Sequence, residues 1–472
     1  MKLQNEKTIW QLVDQKGHIF ETLSDRVWDV PETNFQEVFS CALHRKTLLE
    51  QGFRVKECAG GLKTAVMGES GKGGPVIAFL GEFDALPNLS QQANVFHAAP
   101  VIPDGNGHGC GHNLLGAGAL AAATAVKDWL EQTGTPGTVR YYGCPAEEGG
   151  AGKVFMIRNG AFESVDCAIS WHPFAFTTVC PPSSLANVCI DFVFTGRSSH
   201  AAMSPHLGRS ALDAAELMNV GVNYLREHML PTSRIHYAYI NAGGKAANVV
   251  QSETRIRYMI RAEKLEDLFP LQKRVENIAH GAALMTETQV NIQVLSGMAN
   301  LTPAPKLEKL LQHNIEELGP LQLSSTDYQY AQDIQATIPQ TDIVSAYSMM
   351  EIPYQENVSI FNEVIPYRPY FTKNILGSTD IGDVSWIVPT VQLLATTMAV
   401  GTSLHSWQAT AQGKSSLAHK GMLHAAKIMA ATAINILENP HIIQNESQNI
   451  KNKNYKCVIP PTVMPPDSAK LV

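Results

Sequence analysis

The sequence predicts an α/β protein in which a second, smaller domain interrupts the first. Strands alternate with helices in the first part of the chain and again near its end, a pattern typical of layered α/β domains. Between them the apolar patterns spell strand, helix, strand, strand, helix, strand, the order of a ferredoxin-like unit that closes its own sheet. The 472 residues also exceed the size that one hydrophobic core usually reaches. We therefore place a discontinuous domain at 1–186 and 300–472 and an inserted domain at 187–299.

The elements of the first domain follow the periodicity of its apolar residues. Helical spacing covers 7–27 and 34–52, and Pro31 separates the two helices. Three β-rich runs follow, with the sequences RVKEC, LKTAVMG and PVIAFLGEFDALP. The later predicted elements of this domain are a helix at 112–132, a strand at 138–148, a helix at 152–163, a strand at 167–173 and further signals at 304–318, 390–400 and 417–437. The sequence assigns no order to 320–375, and the tail from about 440 is expected to wrap loosely over the surface.

The inserted domain has clearer patterns. Its predicted elements are strand 186–196, helix 209–229, strand 234–243, strand 253–262, helix 265–285 and strand 288–297. The strand ETRIRYMIRA alternates between apolar residues and arginines, so its two faces differ. Ile256, Tyr258 and Ile260 should face the two helices of this domain. Arg255, Arg257 and Arg261 should lie on the open face of the sheet.

Composition argues against several classes of partner. The formal charge is −7, and no Lys/Arg-rich run offers a face for nucleic acid. The amino-terminal stretch lacks the uninterrupted apolar core of a signal peptide. The longest apolar run, at 114–126, is too short to span a bilayer. These features predict a cytoplasmic protein with neither a membrane nor a nucleic-acid partner, and its eight dispersed cysteines are expected to be reduced.

The stretch NGHGCGHN, at 106–113, carries the first chemical signal. His108, Cys110 and His112 alternate with glycines. An extended segment would point all three side chains to one side, and the glycines would leave room for something to approach the backbone. That something could be a metal ion, or a carbonyl group attacked by a thiolate.

Other polar side chains follow the ends of apolar runs, where α/β folds gather functional groups. They are Glu82 and Asp84 in GEFDALP, Glu147 and Glu148 in PAEEGG, His172 in SWHP and His405 in GTSLHSWQ. Together with Cys110 they offer thiolate, imidazole and carboxylate groups, a ligand set that suits zinc or a similar ion. Of two adjacent carboxylates, one can bind metal while its neighbour handles the proton of a metal-bound water.

In this order, the motifs also resemble a known family. GEFDALP, GHGCGHN, EEGG, GRSSHAAMSPHLGRSALD, GGKAANVV and LHSWQ resemble peptidase family M20, the aminoacylase and carboxypeptidase family of metallopeptidases and amidohydrolases. The resemblance extends over most of the chain and is strongest to the amidohydrolase branch. It implies a zinc-exopeptidase-like α/β/α catalytic domain, with the inserted domain serving as a lid and as a dimerisation domain.

The resemblance also implies a metal centre. Two divalent metal ions per subunit, zinc or manganese, would be held by Cys110, His112, Glu148, His172 and His405. Glu147 would be the general base, and Asp84 would orient a liganding histidine. Many family members have a liganding histidine where this chain has Glu82, so that ligand is expected to come from HGCGH instead.

Three residues near these motifs have no fixed role in the resemblance. The late acidic motif of the family appears here as STDIGDVSW, which leaves open whether Asp380 or Asp383 takes its place. His108 is not a ligand in the family pattern. We favour a structural hydrogen bond for it over a contact with substrate.

Within the inserted domain the resemblance implies three functional residues. His200 would stabilise the oxyanion at the metal centre of a neighbouring subunit, which implies a dimer. The alternative for His200 is a loop residue that caps the following helix. Arg261 would bind the substrate carboxylate in a bidentate manner, and Asn248 would lie near the substrate.

The leading functional hypothesis is metal-assisted hydrolysis of an N-acyl amino acid, with p-aminobenzoyl-glutamate cleaved to p-aminobenzoate and glutamate as the specific expectation. The expected assembly is a homodimer through the lid domain, or a complex with a related subunit of the same family. Two alternatives stay open. One is a cysteine hydrolase that uses Cys110 with His112 or His108, and the other is a binding subunit that depends on its partner.

Overall fold

The computed structural model describes residues 2–181, 184–369, 377–451 and 453–466. They form an α/β domain around a seven-stranded sheet and a smaller unit around a four-stranded sheet. The α/β fold class that the sequence predicts is therefore confirmed. Within the described residues, none of the helices combines the length and the apolar character that a bilayer crossing requires.

The large domain is built from both ends of the chain, and the smaller unit lies between them. The first elements of the large domain are α1 (Lys2–Trp28), α2 (Val38–Glu50), β1 (Arg54–Glu57), β2 (Val66–Lys72), β3 (Val76–Glu82), α3 (His112–Thr133), β4 (Gly137–Cys144), α4 (Gly152–Arg158), β5 (Cys167–Phe174) and β6 (Thr178–Val179). The smaller unit contains β7 (Ala186–Thr195), α5 (Ala211–Leu225), β8 (Arg234–Asn241), β9 (Glu253–Ala262), α6 (Leu265–Met285) and β10 (Gln289–Met298). The chain then returns with α7 (Pro305–Leu318), α8 (Ser325–Gln335), α9 (Gln340–Met349), α10 (Ile381–Ser385), β11 (Thr390–Thr396), α11 (Trp407–Gln412), α12 (Ser416–Glu438) and α13 (His441–Lys451).

The large sheet has the strand order β1-β2-β4-β3-β5-β11-β6. Its centre is parallel, because β3 pairs in parallel with β4 and β5, and β11 pairs in parallel with β5. These central strands are apolar and buried, as expected where helices cover both faces of a sheet. Since parallel strands end at one edge, the loops after β3, β4, β5 and β11 meet there.

The core packs tightly on the face that carries α1, α3 and α12. The small residues of α3 permit this packing: a Cβ atom on Gly118 would lie 2.8 Å from the ring of Trp171. On the other face, α4 and α10 cover a second apolar cluster that includes Phe155 and Val384. The two layers fix the sheet edge that carries the polar strand ends.

The smaller sheet has the order β10-β7-β9-β8 and is antiparallel throughout. Ile256, Tyr258 and Ile260 are buried in the cluster under α5 and α6, as their alternation predicts. On the open face Arg255 and Arg257 both bind the carboxylate of Asp191. The sheet begins and ends beside the predicted boundaries at 187 and 299.

Two parts of the chain are more ordered than the sequence indicates. The region 320–375 contains α8 and α9, and α8 begins with a capping box between Ser324 and Asp327. Residues 370–376 of that region lie outside the described residues. The loose tail expected from 440 is wrong for most of its described length, because α13 forms there and Val458 packs against Gly297 of β10.

Candidate metal centre

The HGCGH motif forms a turn at the start of α3 and not the extended segment that its alternation predicts. Its glycines are required by close approach and by conformation. A Cβ atom on Gly107 would lie 1.9 Å from the carbonyl oxygen of Leu89, and Gly111 has a φ of 77°. The turn separates the three polar side chains. His108 points away from the other two and donates from Nε2 to the carbonyl of Val27 at 3.1 Å.

Asp84 fixes two other residues of the site. Its Oδ1 atom lies 2.9 Å from Nδ1 of His112, and its Oδ2 atom accepts the backbone N–H of Glu148 at 2.9 Å. Because Nδ1 donates to the carboxylate, Nε2 of His112 can offer its lone pair. That Nε2 atom is buried and has no hydrogen-bond partner among the described residues, as expected of an atom that binds a metal ion.

His172 has the same arrangement at the end of β5. Its Nδ1 atom donates to the carbonyl oxygen of Pro173 at 2.9 Å, which leaves Nε2 free to coordinate. Nε2 lies 3.4 Å from Sγ of Cys110. A thiolate and an imidazole nitrogen therefore face one position from two different loops.

His405 approaches from the loop after β11. Its φ of 61° is in the left-handed region, and its backbone N–H donates to the carbonyl of Gly109 at 2.8 Å. Its Nε2 atom lies 3.4 Å from Oε1 of Glu148, and the same Oε1 atom lies 3.9 Å from Nε2 of His112. Oε1 of Glu148 is also buried without a hydrogen-bond partner in the described part of the chain.

These side chains form three overlapping groups in which all possible ligand atoms lie within 4.8 Å of one another. The groups are Cys110 with His112 and His172, Cys110 with Glu148 and His405, and Glu82 with His112 and Glu147. Cys110 and His112 each belong to two groups, so the groups describe adjacent positions and not separate sites. The structure thus brings together the five predicted ligands and Glu147.

Glu82 is the residue that sequence reasoning did not place at this centre. The family pattern assigned its position to a ligand that had to come from HGCGH. In the fold it ends the buried strand β3, and its carboxylate faces His112. The signal was its spacing of two residues from Asp84, which puts both side chains on one side of an extended segment.

Burial controls the protonation of the reactive groups. It raises the pKa of the Cys110 thiol well above its usual value, and the negative charge of Glu148 adds to the effect. It also raises the pKa of Glu147 well above its usual value, with further contributions from Glu82 and Glu148. Without a cation nearby, Cys110 is a poor nucleophile.

His200 and Asn248 lie together on the smaller unit, away from this centre. Both are exposed, and the backbone N–H of Ala201 donates to the carbonyl of Asn248. Nδ1 of His200 accepts from the backbone N–H groups of Ala202 and Met203, so its proton is on the outward Nε2 atom. Their described hydrogen bonds stay within the small unit.

Arg261 lies at the opposite end of β9, close to the large domain. It donates to the hydroxyl of Ser378 at 2.9 Å, and no carboxylate among the described residues pairs with it. Burial lowers its pKa because a half-buried guanidinium is poorly hydrated. An unpaired cation of this kind is suited to binding an anion.

The two aspartates of STDIGDVSW have different structural partners. Asp380 accepts the backbone N–H of Lys153 at 2.9 Å and its ammonium group at 2.6 Å. Asp383 accepts from the backbone of Ala299, where the chain leaves the small unit, and from the hydroxyl of Tyr455. Neither aspartate belongs to the three ligand groups.

With the fold and this arrangement in place, comparison with known proteins gives the class. The family model for peptidase family M20/M25/M40 matches residues 78–360. That is more than half of the chain, so the chain belongs to this family of metallopeptidases and amidohydrolases. The sequence-based recognition of the family, and with it of a hydrolase, is confirmed.

Individual relatives sharpen the comparison. One subunit of p-aminobenzoyl-glutamate hydrolase from Escherichia coli (strain K12) is 44% identical over 461 residues, covering 94% of this chain and 95% of the relative. The motifs GEFDALPNLSQQ, GHGCGHNLLG, SPHLGRSALDA, STDIGDVSW and HKGM predict this resemblance. A different subunit of the same hydrolase, from the same strain, is 28% identical over 262 residues, covering 53% of this chain and 59% of the relative. A solved dinuclear metal binding peptidase from the M20 family of Bacillus subtilis shares the fold, with a TM-score of 0.56 and 18% identity over 90% of this chain and 99% of its own.

Proposed function

We propose that this chain is a metal-dependent amidohydrolase that cleaves the amide bond of an N-acyl amino acid. The observation that carries the proposal is the convergence of thiol, imidazole and carboxylate ligand atoms from four loops beside the buried carboxyl of Glu147. We propose p-aminobenzoyl-glutamate as the first substrate to test, because the relative with 44% identity is named for its hydrolysis.

The donor set fits two divalent cations, zinc or manganese. Cys110, His112, Glu148, His172 and His405 would hold them, and two of these residues offer buried atoms that have no hydrogen-bond partner in the described chain. Bound there, the cations would polarise the amide carbonyl and increase the acidity of a water molecule. Leaving such polar atoms buried without a ligand costs roughly 1–3 kcal/mol each, which supports a bound cation.

Glu147 would transfer the proton. It would take a proton from the attacking water and return it to the nitrogen of the departing amine, which balances the hydrolysis. Burial, Glu82 and Glu148 raise the pKa of its carboxyl group, so it holds a proton more strongly than an exposed glutamate does. A group that must accept a proton and then release it benefits from that shift.

The residues of the small unit would act from two subunits. Arg261 and the start of β9 are separated by eight residues of extended chain, about 27 Å at the usual rise per residue. His200 and Asn248 lie beyond that start, so they and Arg261 would not reach the same substrate from one chain. We propose that Arg261 binds the substrate carboxylate in its own subunit, while His200 and Asn248 enter the centre of a neighbouring subunit.

An exposed apolar surface on the small unit supports such a dimer. Leu217, Val220 and Tyr224 are exposed along one face of α5, and Tyr237, Tyr239 and Ile240 are exposed on β8. Asn219 of α5 donates to the hydroxyl of Tyr239, so the two patches are neighbours. β8 is also an edge strand with unpaired backbone groups, which a second subunit can cover.

The partner would be a second copy of this chain or a related subunit. A homodimer follows from the self-complementary use of one surface. A related subunit is the second candidate, because the relatives include two different subunits of one hydrolase. Size-exclusion chromatography of the chain expressed alone separates these cases, since a monomer without activity would favour the related subunit.

The cysteine-hydrolase alternative receives less support. Cys110 is buried and its thiol has a raised pKa, whereas a nucleophilic cysteine needs a thiolate. A direct experiment is to assay hydrolysis of a panel of N-acyl amino acids, including p-aminobenzoyl-glutamate, before and after chelation and after addition of zinc or manganese. Metal-dependent turnover supports the proposal. Turnover that survives complete metal removal contradicts it.

A further inference from the structure

A buried ion network lies behind the candidate metal centre. The ammonium group of Lys153 is fully buried and lies 2.6 Å from Oε1 of Glu82 and 2.6 Å from Oδ1 of Asp380. The other oxygen of Asp380 accepts the backbone N–H of Lys153 at 2.9 Å. The lysine is therefore held at two points, and one oxygen of Glu82 is held by the lysine.

The second oxygen of Glu82 points at the metal centre. Oε2 lies 3.4 Å from Nε2 of His112. When Nδ1 of His112 donates to Asp84, its Nε2 atom carries a lone pair, and a carboxylate oxygen also has only lone pairs to offer. Two such acceptors facing each other in a buried site are stable only if a cation lies between them or beside both.

The charge of the region requires the same cation. The carboxylates of Glu82, Asp84, Glu148 and Asp380 surround the buried ammonium group of Lys153. Excess buried negative charge is costly unless a positive charge compensates it. Lys153 and Asp380 offset each other, so Glu82 keeps a charge that a metal ion can use.

We propose that Glu82 is a further protein ligand of the centre and binds, through Oε2, the metal ion that His112 also binds. The inference rests on the proposed metal centre and adds a ligand that the family pattern does not supply. Its geometric basis is the group formed by Glu82, His112 and Glu147, in which one atom of each residue lies within 4.8 Å of the others. Lys153 orients this ligand by holding its Oε1 atom.

The test is the metal content and metal affinity of Glu82→Gln. Its amide keeps the size of the side chain and can still accept a hydrogen bond from Lys153, but it loses the charge. The full-length wild-type chain should hold two ions after dialysis against a competing chelator. The variant should keep one, and its affinity for the second should fall at least tenfold, the usual scale for perturbed metal sites.

A matched control is Glu69→Gln. Glu69 is also held by cations, with Arg54 at 2.9 Å and Arg140 at 2.8 Å, but it lies on β2 away from the ligand groups. This variant should bind both ions as the wild type does. A second readout is the visible absorption of cobalt-loaded protein, which reports the ligands directly and should change in Glu82→Gln but not in the control.

Each outcome decides between the hypotheses. Two ions bound by Glu82→Gln with wild-type affinity and an unchanged cobalt spectrum would overturn the role of Glu82 while leaving the metal centre intact. A wild-type chain that binds no divalent cation would overturn the proposed function itself. If Glu82→Gln lacks a cooperative thermal transition, Glu82→Asp carries the test, because it keeps a charge for Lys153 and shortens the ligand by one carbon. Wild-type metal binding by a folded Glu82→Asp would then refute the assignment.

Discussion

Replacing Asp84 by asparagine should uncouple the metal centre from its support. Asp84 accepts one N–H group on each oxygen, from the ring of His112 and from the backbone of Glu148. Asparagine has the same shape but offers one acceptor and one donor. One of the two hydrogen bonds must therefore be lost in a site that water does not reach.

Either orientation of the amide weakens metal binding. If its NH₂ group faces His112, Nδ1 must accept, so the proton moves to Nε2 and the ring can no longer coordinate. If it faces Glu148, a buried backbone N–H loses its partner at a cost of about 1–3 kcal/mol. We expect the affinity for at least one ion to fall roughly 10- to 100-fold, which corresponds to about 1.4–2.7 kcal/mol.

The assay is a competitive titration with a chromogenic chelator, followed by turnover at low and at excess metal. Turnover of Asp84→Asn should fall most at low metal and recover partly in excess. Asp166→Asn is the matched control, because Asp166 accepts a backbone N–H from Val76 at the opposite end of the sheet. Equal affinity of Asp84→Asn and the wild type for both ions would refute the reasoning.

Three other changes test separate parts of the account. Glu147→Gln should lower kcat by about 10²- to 10⁴-fold with unchanged metal content, and near-normal turnover would exclude Glu147 as the base. Val220→Asp should give a monomer in light scattering and lower kcat with it, whereas Val38→Asp, at an equally exposed position of α2, should do neither. Burial first, and then Asp84, raises the pKa of Glu37 from 4.5 to about 8. The folded protein therefore keeps a proton that the unfolded chain loses, and its free energy of unfolding should fall as pH rises from about 4.5 to about 8. Glu37→Gln should flatten this dependence in chemical denaturation, and an unchanged slope would contradict it.

The sequence predicts most of this fold because the decisive patterns are local. Buried runs such as PVIAFLGE read as strands, and the alternation of ETRIRYMIRA gives both faces of β9. The helices α8 and α9 were missed because they are short and rich in tyrosine and glutamine. The available signal was Ser324 followed by Asp327, a spacing typical of a helix start.

The site was predicted in its members more than in its geometry. Alternation at HGCGH suggested an extended segment, but Gly111 adopts a left-handed conformation and turns the chain into α3, so His108 faces elsewhere. The pairing of Lys153 with Glu82 and Asp380 joins residues up to 227 positions apart. No local pattern reports such a contact, because it depends on how α4 packs against the end of β3.

The most direct test of the central claim is anomalous diffraction from crystals loaded with zinc or manganese, recorded at the absorption edge of the metal. The account predicts two peaks, one among Cys110, His112 and His172 and one shared with Glu148 and His405, with Glu147 bound to neither ion. Peaks elsewhere on the chain, or a centre that stays empty at saturating metal, would contradict it.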